Sequence, residues 1–335
     1  MTKIEIVSGF LGAGKTTLIK KLLKEAFAGE KLVLIENEFG EIGVDGGFLK
    51  EAGIEITEMN SGCICCSLVG DFGTALKEVL EKYSPDRVII EPSGVGKLSD
   101  VVKAVEAVGE KVNSSVTVVD GQKCNMYMKN FGEFFNNQIE NAGTIVISRT
   151  QKMKEDKLAK CVAQIKEKND RATIITTPWD EIDGKIIVNA MEHIELEMHH
   201  EHEHHHHHEH DEHCTGGCHD HEHHEHHHDH EGHVHHHDHH GHHHADEVFT
   251  SWGVETAKTY SQAKVEEILT ALDSGEYGMI LRSKGMVAGE DGTWIYFDYV
   301  PEEHDIRTGK PEVTGKLCVI GAQLKEDKIA ELFQV

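Results

Sequence analysis

Nine residues near the start, Gly9-Phe10-Leu11-Gly12-Ala13-Gly14-Lys15-Thr16-Thr17, restrict this chain more than anything else in it. They fit G-x-x-x-x-G-K-[ST] without a gap. Before them Lys3-Ile4-Glu5-Ile6-Val7 reads as a short buried strand. After them Leu18, Ile19, Leu22, Leu23, Ala26 and Phe27 are apolar at helical spacing. Strand, glycine loop and helix in that order make a phosphate cradle. The glycines let backbone N–H groups close on phosphate oxygens, and the helix N-terminus adds partial positive charge there. Gly9, Gly12, Ala13, Gly14, Lys15, Thr16 and Thr17 are therefore expected to hold a nucleotide. In that cradle Lys15 reaches the β- and γ-phosphates and the Thr16 hydroxyl ligates Mg²⁺.

Strand-like and helix-like stretches then alternate. Strands are expected at 31–35, 53–59, 87–90, 115–119, 144–148 and 172–176, and helices at 71–83, 97–108, 126–142 and 154–168. Repeated strand–helix units predict an α/β domain with a mostly parallel sheet, helices on both faces, and ligands beyond the carboxyl ends of the strands. The glycine loop, Glu36, Glu91, Asp120 and Ser148 all fall at such ends. Residues 246–335 read as a small α+β domain, a sheet covered by two helices, with Ser261 as the N-cap of the first. It shows no catalytic constellation of its own. Glu302, Glu303, His304 and Asp305, clustered after Pro301, read as a solvated turn. The expected organisation is a nucleotide-binding domain over 1–193, a linker over 194–245 and the second domain over 246–335.

The linker is set apart by composition. Of the 29 histidines in the chain, all but His193 and His304 lie between residues 199 and 244. Asp and Glu are interleaved with them, so the stretch is expected to lack a core of its own and to bind metal. Neutral imidazoles accept Zn²⁺, Ni²⁺, Co²⁺ and Cu²⁺. Cys214 and Cys218 add a thiol pair. The net charge of −26 argues against nucleic acid and against an anionic membrane surface. No apolar run approaches a membrane span, and charge and glycine come too early for a signal-peptide core. A cytoplasmic location is expected, with the 8 cysteines reduced.

Two further motifs carry chemistry. In Glu91-Pro92-Ser93-Gly94 a carboxylate can hold Mg²⁺ and the Gly94 N–H can reach a γ-phosphate. Such a loop orders with the γ-phosphate and relaxes after hydrolysis. Lys15, Thr16, Glu91 and Gly94 are thus the catalytic candidates. Asn37, Glu38 and Asp45 are candidates for placing the attacking water, and the sequence does not choose among them. In Cys63-Ile64-Cys65-Cys66 three thiols can converge on one soft or borderline ion. Three ligands with an open fourth position suit a site that loads and unloads, and Glu36 or Glu41 could supply a fourth oxygen.

Together these residues resemble the CobW-type P-loop GTPases, relatives of HypB and UreG. The resemblance rests on Gly9 to Thr17, Glu36-Asn37-Glu38-Phe39-Gly40-Glu41, Gly62 to Cys66, Glu91 to Gly94, Gln138 to Ala142 and Leu281-Arg282-Ser283-Lys284-Gly285. It implies a metallochaperone that uses GTP to allocate a transition metal to an acceptor apo-metalloprotein, with Cys63, Cys65, Cys66, Glu36 and Glu41 at the metal. Zinc is favoured, with cobalt or nickel open, and a homodimer is left open. One departure concerns the base. The family pattern N/T-K-x-D is replaced by Ser148-Arg149-Thr150-Gln151. Arg149 can stack on a base, but Gln151 cannot replace a carboxylate that accepts two guanine N–H groups. GTP is favoured and ATP stays open. Two other readings compete: a metal store built on the histidine tract, and a small-molecule kinase.

Overall fold

A computed structural model describes residues 2–37, 55–59, 69–198 and 245–335. The first domain is a parallel sheet of β1 (Lys3–Gly9), β2 (Leu32–Asn37), β3 (Glu55–Met59), β4 (Arg87–Glu91), β5 (Ser114–Asp120), β6 (Thr144–Ser148) and β7 (Thr173–Ile175). Its 7 strands run in the order β3-β2-β4-β1-β5-β6-β7. Every pair is parallel, as the sequence predicts. The strands are apolar on both faces because both are covered. On one face α1 (Lys15–Glu25) and a later helix, Gly184–Met198, bury Leu18, Ile19, Leu22, Ile187 and Met191 against Val7, Leu34, Val116 and Val146.

The opposite face carries α2 (Val69–Tyr83), α3 (Leu98–Ala107), α4 (Cys124–Asn130), α5 (Gly132–Glu140) and α6 (Glu155–Lys168), packed on Ile4, Ile6, Val88, Ile90, Ile145 and Ile147. The sequence predicts one helix over 126–142, but the structure has two. Phe131 leaves the helical region at φ −133°, ψ 33° and buries its ring, stacked 5.5 Å from Phe10. The Gly184–Met198 helix is α7. At the amino-terminal edge of the sheet, Arg87 is buried against Glu5, donates from Nε to Glu30 at 2.7 Å and lies 4.0 Å over the Phe27 ring.

The second domain follows a helical turn at Ala245–Val248. Its strands are β8 (Thr250–Thr256), β9 (Thr259–Tyr260), β10 (Met279–Gly289), β11 (Trp294–Val300), β12 (Glu303–Gly309) and β13 (Gly315–Ala322), in the order β12-β11-β10-β13-β8 with β9 beside β10. The two helices are α8 (Gln262–Ala271) and α9 (Glu326–Phe333). As expected, Ser261 caps α8, its Oγ accepting from the Lys264 N–H at 3.2 Å. The helices cover one face through Val265, Leu269, Ile329 and Phe333. From the other face, Leu281, Cys318 and Ile320 join the core of the first domain, and so does Phe249. Phe249 packs 5.0 Å from Phe134 and 5.3 Å from Phe131, with Phe10 at 6.0 Å. Phe10 belongs to the glycine loop, so that loop is anchored in a ring cluster shared by both domains. Among the described residues, no helix is long and apolar enough to cross a membrane.

Candidate functional site: a phosphate cradle roofed by the second domain

The glycine loop leaves β1 at the centre of the sheet. Gly9, Gly12 and Gly14 have φ of +148°, +68° and +107°, a region side chains rarely occupy. Two also lack room. A Cβ on Gly9 would lie 2.5 Å from the Val118 carbonyl oxygen, and one on Gly12 would lie 2.1 Å from a Val300 methyl. Gly14 is the N-cap of α1, so the free N–H groups of its first turn open on the loop. Lys15 is 6% exposed and Ala13 is buried, whereas Thr17 is exposed.

Glu91 ends β4, the neighbour of β1, and the Thr16 hydroxyl donates to its Oε1 at 3.1 Å. A hydroxyl and a carboxylate converging beside a lysine suit Mg²⁺ bound to phosphates. Gly94 lies against the glycine loop, where a Cβ would come within 2.9 Å of the Leu11 nitrogen. The same loop is held from behind by Gln138 of α5, whose amide donates to the Gly94 and Gly96 carbonyls at 3.1 and 2.8 Å.

On the other side of the cradle, Ser148 ends β6 buried, its hydroxyl on the Val119 carbonyl at 3.4 Å. Arg149 adopts φ +60° and makes three hydrogen bonds. Its Nη1 donates to the Gly12 carbonyl at 3.1 Å and to Asp120 at 2.9 Å, and its Nε donates to Glu303 at 2.9 Å. Gln151 is exposed in the 3₁₀ turn Thr150–Lys152. Burial pushes the Asp120 carboxyl up, against the pull of Arg149 and Lys123. Burial likewise depresses Lys123, whose ammonium finds no hydrogen-bond partner among the described residues. Burial raises the Glu303 carboxyl too, but Lys152 and Arg149 outweigh it and hold it below the usual glutamate range.

A cavity of about 390 Å³ joins these groups. It is bounded by Gly12, Lys15, Thr16, Glu91 and Arg149 from the first domain, and by Arg282, Asp298, Val300 and Glu303 from the second. Of the acidic cluster after Pro301, Glu302 lies exposed in a turn, as expected, but Glu303, His304 and Asp305 do not. These three begin β12 and line the cavity at the rim of the cradle. Sequence reasoning missed this contribution, because nothing local marks a residue that meets Arg149 across 154 positions. It also missed Trp179, whose ring packs beside Gly14 while its N–H donates to the Ile147 carbonyl at 3.2 Å.

Glu36 is buried at the end of β2, in register with Glu91 on β4. The remaining predicted metal ligands, Glu41, Cys63, Cys65 and Cys66, lie outside the described residues, as do the water-placing candidates Glu38 and Asp45 and the histidine tract from 199 to 244. Among the described residues, no group of three or more His, Cys, Asp or Glu is placed to hold a metal ion.

A glycine loop between a central strand and its helix, with a carboxylate on the adjacent strand facing the loop threonine, defines a P-loop nucleotide-binding protein. The particular family is also shown. A family model described as CobW/HypB/UreG, nucleotide-binding domain, matches residues 3–176, and one described as Cobalamin synthesis protein cobW C-terminal domain matches 249–335. The chain belongs to the CobW/HypB/UreG family. It is 42% identical over 120 residues to the zinc chaperone CobW of Sinorhizobium sp, a match covering 34% of this chain and 33% of that protein. It is 30% identical over 197 residues to the zinc chaperone YjiA of Escherichia coli K12, covering 56% and 60%. To the zinc-regulated GTPase metalloprotein activator 1 of Schizosaccharomyces pombe it is 24% identical over 324 residues, covering 90% and 76%. The chain thus spans less than two thirds of the length of the first two relatives.

Proposed function

We propose that this chain is a GTP-hydrolysing zinc chaperone of the reducing cytoplasm, loading Zn²⁺ at Cys63, Cys65 and Cys66 and passing it to an acceptor apo-metalloprotein. Relatives named as zinc chaperones and as a zinc-regulated GTPase support the cargo and the nucleotide. One observation carries the coupling. Glu36 and Glu91 face each other in register on adjacent strands, about 5 Å apart by sheet geometry. The chain leaves β2 one residue after Glu36 toward Glu41, and returns through β3, which runs directly into the thiol segment. The thiol segment is therefore rooted on β3, with β2 and its Glu36 between it and the carboxylate that meets Thr16.

Lys15 and the N–H groups at the start of α1 bind and orient the phosphates. Thr16 and Glu91 would hold Mg²⁺, which when bound offsets charge on the β- and γ-phosphates. Gly94, braced by Gln138, sits where a γ-phosphate changes the position of the loop. A loop moved by the phosphate pulls on β4, and through the pairing of β4 with β2 and of β2 with β3 on the strand that leads to the thiol segment.

The test is Zn²⁺ affinity with and without a non-hydrolysable GTP analogue, in wild type and in Cys65→Ala. Allosteric coupling is typically about 1–3 kcal/mol, so affinity should shift roughly 5- to 150-fold with nucleotide in the wild type and not in the variant. Equal affinity in both nucleotide states would remove the switch. Deleting residues 199–244 should lower zinc stoichiometry and leave the nucleotide-dependent part. If that part disappears too, the chain is a metal store.

A further inference from the structure

We infer that Glu303, reaching over from the second domain, is the carboxylate that reads the base of the nucleotide. The inference rests on the GTP reading above. Guanine presents N1–H and an exocyclic amine side by side, and an ionised carboxylate accepts both. The loop after β6 has no carboxylate to offer, since Ser148-Arg149-Thr150-Gln151 ends in an amide with a single acceptor oxygen.

The structure supplies a carboxylate at that turn from elsewhere. Glu303 Oε2 accepts from Arg149 Nε and Oε1 accepts from Lys152 Nζ, both at 2.9 Å. Its carboxylate is thus pinned to the residues on either side of Thr150 and Gln151, at the turn that carries the last motif position. It is 40% exposed and lines the cavity that also holds Lys15 and Thr16. Each oxygen keeps a second lone pair beyond its ion pair. The other carboxylates lining the cavity are committed. Glu91 meets Thr16 at 3.1 Å, and Asp298 and Asp305 hold Arg307 at 2.7 and 3.0 Å. Asp120, next to Arg149, is 2% exposed and bonded to the Gln122 N–H at 3.0 Å.

Arg149 then has two duties. Its contact with the Gly12 carbonyl ties the base side of the site to the phosphate loop, and its Nε orients the reading group. Adenine, with an acceptor at N1, would set a lone pair against the carboxylate. Xanthine would do so with its 2-carbonyl. A site built to bond a donor rejects the analogue that lacks it far better than an apolar pocket does.

The test uses the full chain and fluorescent GTP, ATP and xanthosine triphosphate. Wild type should rank GTP first. Glu303→Gln should weaken GTP by about tenfold or more and strengthen xanthosine triphosphate, because a Gln amide can donate to the 2-carbonyl. That gain is a readout that merely loosening the domains would not produce. Lys152→Ala, which removes one tie and keeps the carboxylate, should preserve the ranking. If Glu303→Gln does not fold, Glu303→Asp decides: the shortened carboxylate should narrow the GTP-over-ATP ratio, and an unchanged ratio overturns the assignment. A GTP-selective wild type whose ranking survives Glu303→Gln sinks Glu303 alone. A wild type without guanine preference sinks the GTP reading as well.

Discussion

Lys15 is the residue on which phosphate binding turns, since it is buried in the cradle and lines the cavity beside Thr16 and Glu91. Lys15→Ala removes a charge-assisted bond worth about 1.5–3 kcal/mol, so nucleotide affinity should fall roughly 10- to 150-fold in a fluorescence titration. Gly94 is constrained differently. A methyl group there would press on the Leu11 backbone, which cannot swing aside as a flexible side chain would. Gly94→Ala should cost about 1–3 kcal/mol in urea unfolding and slow GTP hydrolysis, because the loop it carries is pushed off the cradle. Most of this scale was legible in the sequence. The glycine loop and Glu91 are local patterns, and local patterns survive in one dimension. Trp179 was not legible, because its neighbour Gly14 lies far back in the chain and no spacing announces their meeting.

Among the elements, α5 acts on the site without touching it. Gln138 is buried, and Gln138→Leu would strip the donor from two carbonyls of the loop after β4. An unsatisfied buried acceptor costs about 1–3 kcal/mol. The variant should therefore lower the turnover of bound GTP more than it lowers GTP affinity, a split read by single-turnover and binding measurements side by side. That the sheet is parallel was readable because strand-like and helix-like stretches alternate along the chain. The break between α4 and α5 was not. Periodicity carries straight through it, and only the tertiary demand of the ring cluster turns Phe131 out of the helix.

For the whole molecule, the second domain is part of the site. Phe249 couples it to Phe10, and Phe249→Ala should destabilise the protein by about 3–5 kcal/mol in chemical denaturation. The Glu303 tie adds a pH signature. Its folded carboxyl titrates below the ordinary glutamate value of about 4.3, so its stabilisation is complete above that value and is lost as pH falls through the lower, folded one. The stability difference between wild type and Glu303→Gln should accordingly be constant near neutrality and shrink in acid below about pH 4, measured by urea unfolding across pH. None of this was readable in advance, because patterning describes each domain from within and is silent about the face one offers the other.

Val300 rests on Gly12, in space a single methyl group would fill. A triphosphate binding below that valine would meet the β11–β12 hairpin, and a diphosphate would meet it again on leaving. Dwell time should then depend on the contact between the two lobes. Trimming Val300 to alanine should hasten product escape in stopped flow, turning a slow clock into a fast one while the chemistry beneath keeps its own pace.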